Sequence, residues 1–230
     1  PGSFPCILSG MNEPTSSPGR PVLPIISAVT FLTFLDTPLL IPIMAAYAKK
    51  LGAGVGTGGL IIGVFSIVGA LVSIFFGRLV DRFGYKRPLI VGLIGDAVGL
   101  FLYTLCRVPF HLILVRALHG ISSAVAGPAT MSAMADYAAR TTKGKVMAFY
   151  GISIAAANLV GNGVSAMMAP RFGYSSIFLI GAALMLLAII LVLFLPGSSP
   201  KHDATPRSSL WQNPGQVKKL FLRRGLTMAY

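Results

Sequence analysis

Four ionisable side chains, Asp36, Asp96, Arg116 and His119, lie inside long apolar stretches of a 230-residue chain. A charge at the centre of a helix in hydrocarbon costs roughly 2.5–3.5 kcal/mol on insertion scales, so each needs a partner or a wet cavity. Arg116 and His119 are three residues apart and share one face of a helix. With a carboxylate facing that pair, the imidazole is a candidate proton acceptor, because its charge changes near neutral pH. Without one it is an ordinary hydrogen-bonded core histidine. Asp96 reads either as a structural partner for a neighbouring helix or as a second acid in a coupling role. Asn158 and Asn162, four apart on one face, fit a cavity wall or a hydrogen bond between helices.

These residues are positioned by elements that composition makes membrane-embedded. The chain is 54% hydrophobic and only 11% charged, with a mean hydropathy of +0.78, and its charges cluster between apolar runs. The runs fall at 22–48, 58–77, 88–106, 110–135, 146–169 and 175–196. Each meets the about 20 residues needed to cross a hydrocarbon core, and unsatisfied backbone in lipid forces such segments to be helical. The expected fold is an all-α integral membrane bundle of six helices over 22–196, preceded by a polar segment at 1–21 and followed by a basic linker at 197–230.

The net charge of +13 is distributed by side of the membrane, which argues against nucleic acid as a partner. An N-terminus inside places 14 Lys and Arg residues on the cytoplasmic face against 4 outside, the latter being Lys49, Lys50, Arg107 and Arg171. Both termini are then cytoplasmic in a multi-pass cell-membrane protein, with Lys49 and Lys50 the local exception. The first apolar run is too long for a signal-peptide core and holds Asp36, Pro38 and Pro42. Met11 could be the natural start, with 1–10 non-native. Cys6 and Cys106 fall on opposite sides, so no disulfide framework is expected. Residues 217–230 mix Lys and Arg with Leu and Phe, fitting an amphipathic stretch at the inner leaflet or the start of a further span.

Arg82-Phe83-Gly84-Tyr85 between the second and third runs recurs as Arg171-Phe172-Gly173-Tyr174 between the fifth and sixth. This offset is the one expected of two inverted three-helix repeats. Small residues four apart, including Gly59 and Gly63, Gly69, Ser73 and Gly77, Gly95 and Gly99, and Ala157, Gly161 and Ser165, predict close helix packing. At the helical rise Asp36 lies about 18 Å and Arg116 about 9 Å below the outer surface. They meet only if Pro38, Pro42 or Pro128 kinks its helix.

The segment Gly77-Arg78-Leu79-Val80-Asp81-Arg82-Phe83-Gly84-Tyr85-Lys86-Arg87 resembles the loop signature between the second and third helices of the major facilitator superfamily. Arg116-Ala117-Leu118-His119-Gly120 is similar to the fourth-helix motif of its proton-coupled members, with His119 where Gln is usual. Asp36-Thr37-Pro38 resembles the first-helix acidic motif of its drug/proton antiporters. The resemblance implies half of a twelve-helix fold and secondary transport of a small organic solute, in its most similar group proton-coupled export by alternating access. It assigns proton binding to Asp36, with Arg116 tuning its affinity. It also implies a tight turn at Gly77 and Gly84 and a cytoplasmic charge latch of Asp81, Arg82, Lys86 and Arg87, with Asp136 as the acid facing Arg82.

Two departures qualify this. The fifth-helix Gly-Pro of antiporters is replaced by Gly161-Asn162-Gly163-Val164-Ser165-Ala166, and the chain covers one six-helix half. A central site then needs a second half or a second copy. The alternatives are a facilitator or symporter for a sugar or other metabolite, or a truncated half that transports nothing. Ser122 and Ser123 lie near His119 but lack the third group of a hydrolase, so no enzyme is expected. Gly52, Gly54, Gly56, Gly58 and Gly59 lack the Lys-Ser/Thr of a phosphate loop, and neither a cofactor nor a metal cluster is expected. Energy would come from a proton or solute gradient.

Overall fold

The computed structural model describes residues 22–138 and 143–197. The expectations for 1–21, Arg140 and the stretch from 198 to 230 lie outside the described residues. All regular structure among the described residues is helical, as the composition demanded: α1 (Val22–Thr33), α2 (Asp36–Lys50), α3 (Val55–Phe83), α4 (Lys86–Tyr103), α5 (Pro109–Ser123), α6 (Ala126–Ala138), α7 (Lys143–Phe172) and α8 (Tyr174–Phe194). Five stretches are long and apolar enough to cross a membrane: Val22–Lys50, Val55–Phe83, Pro109–Ala138, Lys143–Phe172 and Tyr174–Phe194. The sixth stretch, α4, has 18 residues and carries Lys86, Arg87 and Asp96.

Two of these stretches are broken helices, for the same reason. A proline lacks an N–H, and its ring collides with the carbonyl four residues earlier. Pro38 therefore disrupts the helix at Phe34, and the chain turns at Phe34 and Leu35 between α1 and α2. Pro128 acts on Ala124, and the turn at Ala124 and Val125 separates α5 from α6. The repair is also alike. Leu35 N donates to Leu32 O at 3.1 Å and Val125 N to Ser122 O at 3.5 Å, while the residue after each proline, Leu39 or Ala129, restores the four-residue bond. Pro42 produces no break and sits inside α2.

The helix pairings follow the proposed repeat. If stretch one corresponds to four, two to five and three to six, exchanging the halves turns the α3–α5 packing into α7–α1 and the α4–α5 packing into α8–α1. All four pairings are present, together with α4–α8, which maps onto itself. The glycine of the duplicated tetrapeptide has one conformation at both sites, with Gly84 at φ 76° and ψ 170° and Gly173 at φ 78° and ψ 168°. A side chain is excluded from that region, so Gly84→Ala and Gly173→Ala are each expected to destabilise by about 1–3 kcal/mol. Unfolding of the detergent-solubilised protein checks this, and a loss at neither site would remove the backbone basis for the repeat.

Gly77 does not form the turn expected of it. It lies within α3, which runs on to Phe83 because no breaker intervenes before Gly84. The small-residue stripes divide similarly. A Cβ on Gly95 would meet Ser122, one on Gly99 would touch His119, and one on Gly161 would strike Pro38 and Leu39, whereas Gly59, Gly63 and Gly77 face open space. α3 leaves Leu60, Ile67, Leu71, Ile74 and Phe75 exposed, and only 6% of its apolar window is buried. Its outward face is covered by lipid or by another polypeptide.

Candidate functional site

The break made by Pro38 leaves Asp36 as the first residue of α2, where exposed N–H groups and the helix dipole favour an anion. Its Oδ1 accepts from Thr37 N–H and from the Thr37 hydroxyl at 3.2 Å. Its Oδ2 receives His119 Nε2 at 2.9 Å and the Ser123 hydroxyl at 3.2 Å. Ser123 is the last residue of α5, so the two breaks face one another and the carboxylate bridges them.

Asp96 approaches from α4, whose glycine face lets it lie close to α5. Its Oδ1 accepts from the Ser122 hydroxyl at 2.7 Å and lies 3.5 Å from His119 Nε2. Asp36, Asp96 and Arg116 are each 1% exposed and His119 0%. The imidazole thus serves two buried carboxylates from two helices, meeting the rule that buried polar groups are hydrogen-bonded. Among the described residues, Asp36, Asp96 and His119 also form the one set close enough to share a metal ion, with candidate donor atoms within 4.8 Å of one another.

Arg116 does not pair with Asp36, contrary to the expectation of facing charges. His119 lies nearer the break and occupies the carboxylate, while the Arg116 guanidinium turns toward α3 and α4. It lies 4.5 Å from the Phe65 ring centroid, a cation–π contact, and reaches the Tyr103 hydroxyl at 3.5 Å. Its Nε has no partner. The Tyr103 hydroxyl in turn lies 3.2 Å from His119 Nδ1. The connection is therefore relayed, Arg116 to Tyr103 to His119 to Asp36.

Tyr103 and Phe65 were not singled out by sequence reasoning. Tyr103 follows Asp96 by seven residues, two helical turns on the same face, and that spacing was the available signal. Ser122 and Ser123 are hydrogen-bond donors to carboxylates instead of the nucleophiles that their place near His119 suggests. Asn158 is exposed. Its amide donates to Ile154 O at 2.9 Å, and that of Asn162 to Asn158 O at 2.8 Å. Neither makes the bond between helices that their spacing allowed.

The charged loop is organised around Lys86 and Tyr85. Lys86 Nζ donates to Leu193 O at 2.9 Å and to Leu195 O at 2.7 Å, and the Tyr85 hydroxyl donates to Pro196 O at 3.0 Å. These donors cap the carbonyl end of α8, where a cation is favoured. Asp81, Arg82 and Arg87 are exposed, while Asp136 is half-buried. Arg82 lies over the Phe83 ring at 5.3 Å, and the described ion pairs do not join it to Asp136.

Residues 26–230 match the Major Facilitator Superfamily. The chain belongs to that superfamily. This facilitator chain is 29% identical over 175 residues to Multidrug resistance protein 1 of Bacillus subtilis, covering 75% of this chain and 45% of that protein. It is 29% identical to Quinolone resistance protein NorA of Staphylococcus aureus, with 76% and 45% covered. An uncharacterized transporter of Buchnera aphidicola is 31% identical, with 74% and 44% covered. The facilitator chain thus spans less than half the length of these relatives. The human organic anion transporter MFSD10 (TETRAN) superposes with a TM-score of 0.60 at 20% identity, over 80% of this chain and 51% of that one, a likeness of fold. Family and apolar helices together make this a multi-pass membrane protein.

Proposed function

We propose that this chain is the first half of a secondary transporter that exports small amphipathic organic compounds in exchange for protons, rocking between inward-open and outward-open states. The observation that carries this reading is the buried cluster of Asp36, Asp96 and His119 where two proline-broken helices meet. A buried carboxylate at such a junction can hold a proton on one side of the membrane and release it on the other. The relatives named for multidrug and quinolone resistance support export of foreign organic compounds as the class of work.

In this reading both termini are cytoplasmic, and Asp36 is the proton carrier with Asp96 beside it. Arg116 acts on Asp36 through Tyr103 and His119. Lys86 and Tyr85 hold the cytoplasmic ends of α4 and α8 together, with Asp81, Arg82 and Arg87 exposed for contact with a second six-helix half. The open face of α3 and the coverage of less than half of each relative favour that partner, a second copy being the alternative occupant. Efflux of a fluorescent amphipathic cation from proteoliposomes of the intact protein is expected to require an inward proton gradient. Efflux that ignores the gradient would favour a facilitator instead. Labelling of Asp81→Cys from outside the cell would overturn the orientation.

A further inference from the structure

We propose that Tyr103 is the positioning residue of this site, holding His119 in the tautomer that carries its proton on Nε2 and so aiming that proton at Asp36. The inference deepens the proton-coupling reading and rests on it only for its functional consequence.

The polarity follows from donor and acceptor inventories. A guanidinium can only donate, so the Arg116 contact at 3.5 Å makes the Tyr103 oxygen an acceptor. The hydroxyl proton is then free to point at the other neighbour, His119 Nδ1, at 3.2 Å. Nδ1 must accept and is bare. The other side of the ring requires the same arrangement. Nε2 faces carboxylate oxygens of Asp36 at 2.9 Å and Asp96 at 3.5 Å, and while those carboxylates are ionised only an N–H can be satisfied there. The opposite tautomer would set a lone pair against two carboxylates. A proton on both nitrogens would place two donors on one hydroxyl oxygen and leave the tyrosine proton without an acceptor, since its described polar neighbours are Arg116 and His119. The ring of Tyr103 is 0% exposed and is wedged against Phe178 at 5.2 Å, so the hydroxyl cannot swing away to water.

The imidazole then orients and polarises, and the carboxylates hold the transported proton. The charged or titratable groups around His119 are Asp36 from α2, Asp96 and Tyr103 from α4 and Arg116 from its own helix. α3 contributes the apolar Phe65 ring, 5.4 Å away.

Nitrogen-15 NMR of histidine-labelled protein tests this directly. His111→Gln and His202→Gln leave His119 as the remaining imidazole. The expected spectrum at neutral pH has one proton-bearing and one bare nitrogen, the proton being on Nε2. In Tyr103→Phe, which removes the donor to Nδ1, the two signals are expected to lose this fixed assignment, with proton-bearing character appearing on Nδ1. The pH profile of transport is expected to change with it. A proton on Nδ1 in the protein with Tyr103 would overturn the proposal, as would a Tyr103→Phe spectrum that does not change. The spectrum of the Tyr103 protein decides even if the variant fails to fold. Transport that ignores the proton gradient, with the nitrogen pattern as stated, would instead defeat the coupling reading and leave the positioning role intact.

Discussion

Exchanging Asp36 for Asn is expected to abolish gradient-driven transport while leaving the protein folded and able to exchange substrate for substrate. Asn keeps the shape of the side chain, and its carbonyl oxygen can still accept the proton of His119 Nε2, now 2.9 Å from Oδ2. What it loses is the capacity to bind and release a proton. Removing a positioned proton-transfer group typically costs on the order of 10²-fold or more in rate, and the gradient-driven component should fall by at least that. Substrate exchange without a gradient needs no titration and should persist. Folding should not suffer, because a neutral amide is easier to bury than a carboxylate. Proteoliposomes of the intact protein, assayed with and without a pH difference, separate the two activities. Gradient-driven transport that survives in Asp36→Asn would remove Asp36 from the mechanism.

His119→Leu has the largest expected effect on stability. The imidazole touches both Asp36 and Asp96. Without it, two carboxylates about 1% exposed face each other with Ser122, Ser123 and Thr37 as remaining donors. Leaving two buried carboxylates short of a hydrogen-bond donor is expected to cost about 3 kcal/mol or more. Adding Asp96→Asn removes one of the opposed charges, so the double variant should recover part of the loss, with a coupling of about 0.5–3 kcal/mol. His119→Gln retains a donor of similar reach and should lose least. Unfolding of the solubilised protein measures all three. Strictly additive losses in the double variant would mean that His119 does not mediate between the acids.

The residues that matter were largely visible before the fold was. Asp36, Asp96, Arg116 and His119 could be picked out because ionisable groups in apolar runs are too costly to be incidental. Pro38, Pro42 and Pro128 all signalled interruptions because a missing N–H is a covalent fact, but Pro42 sits inside α2 and only the other two break their helices. The duplicated Arg-Phe-Gly-Tyr tetrapeptide anticipated the matching turns at Gly84 and Gly173. Partnership was less legible. The family resemblance couples Arg116 to Asp36, and depth allows contact only if a helix kinks, yet Arg116 turns to Phe65 and Tyr103. Depth along a helix says nothing of which neighbour fills the space between. Lys86 was assigned to a charge latch, yet it caps backbone carbonyls of α8, 107 and 109 residues away in sequence, and no local pattern marks such a contact.

Local chemistry by itself therefore determined the solvent, the helical character, the candidate positions for helix breaks and the short list of residues that cannot be idle. Those properties depend on side-chain type and near neighbours along the chain. The tertiary structure decided which of those residues touch, because packing of α2, α4 and α5 sets the angstrom-scale distances on which hydrogen bonds depend. It inserted His119 between the two acids, recruited Tyr103 and sent Arg116 to the far end of the relay.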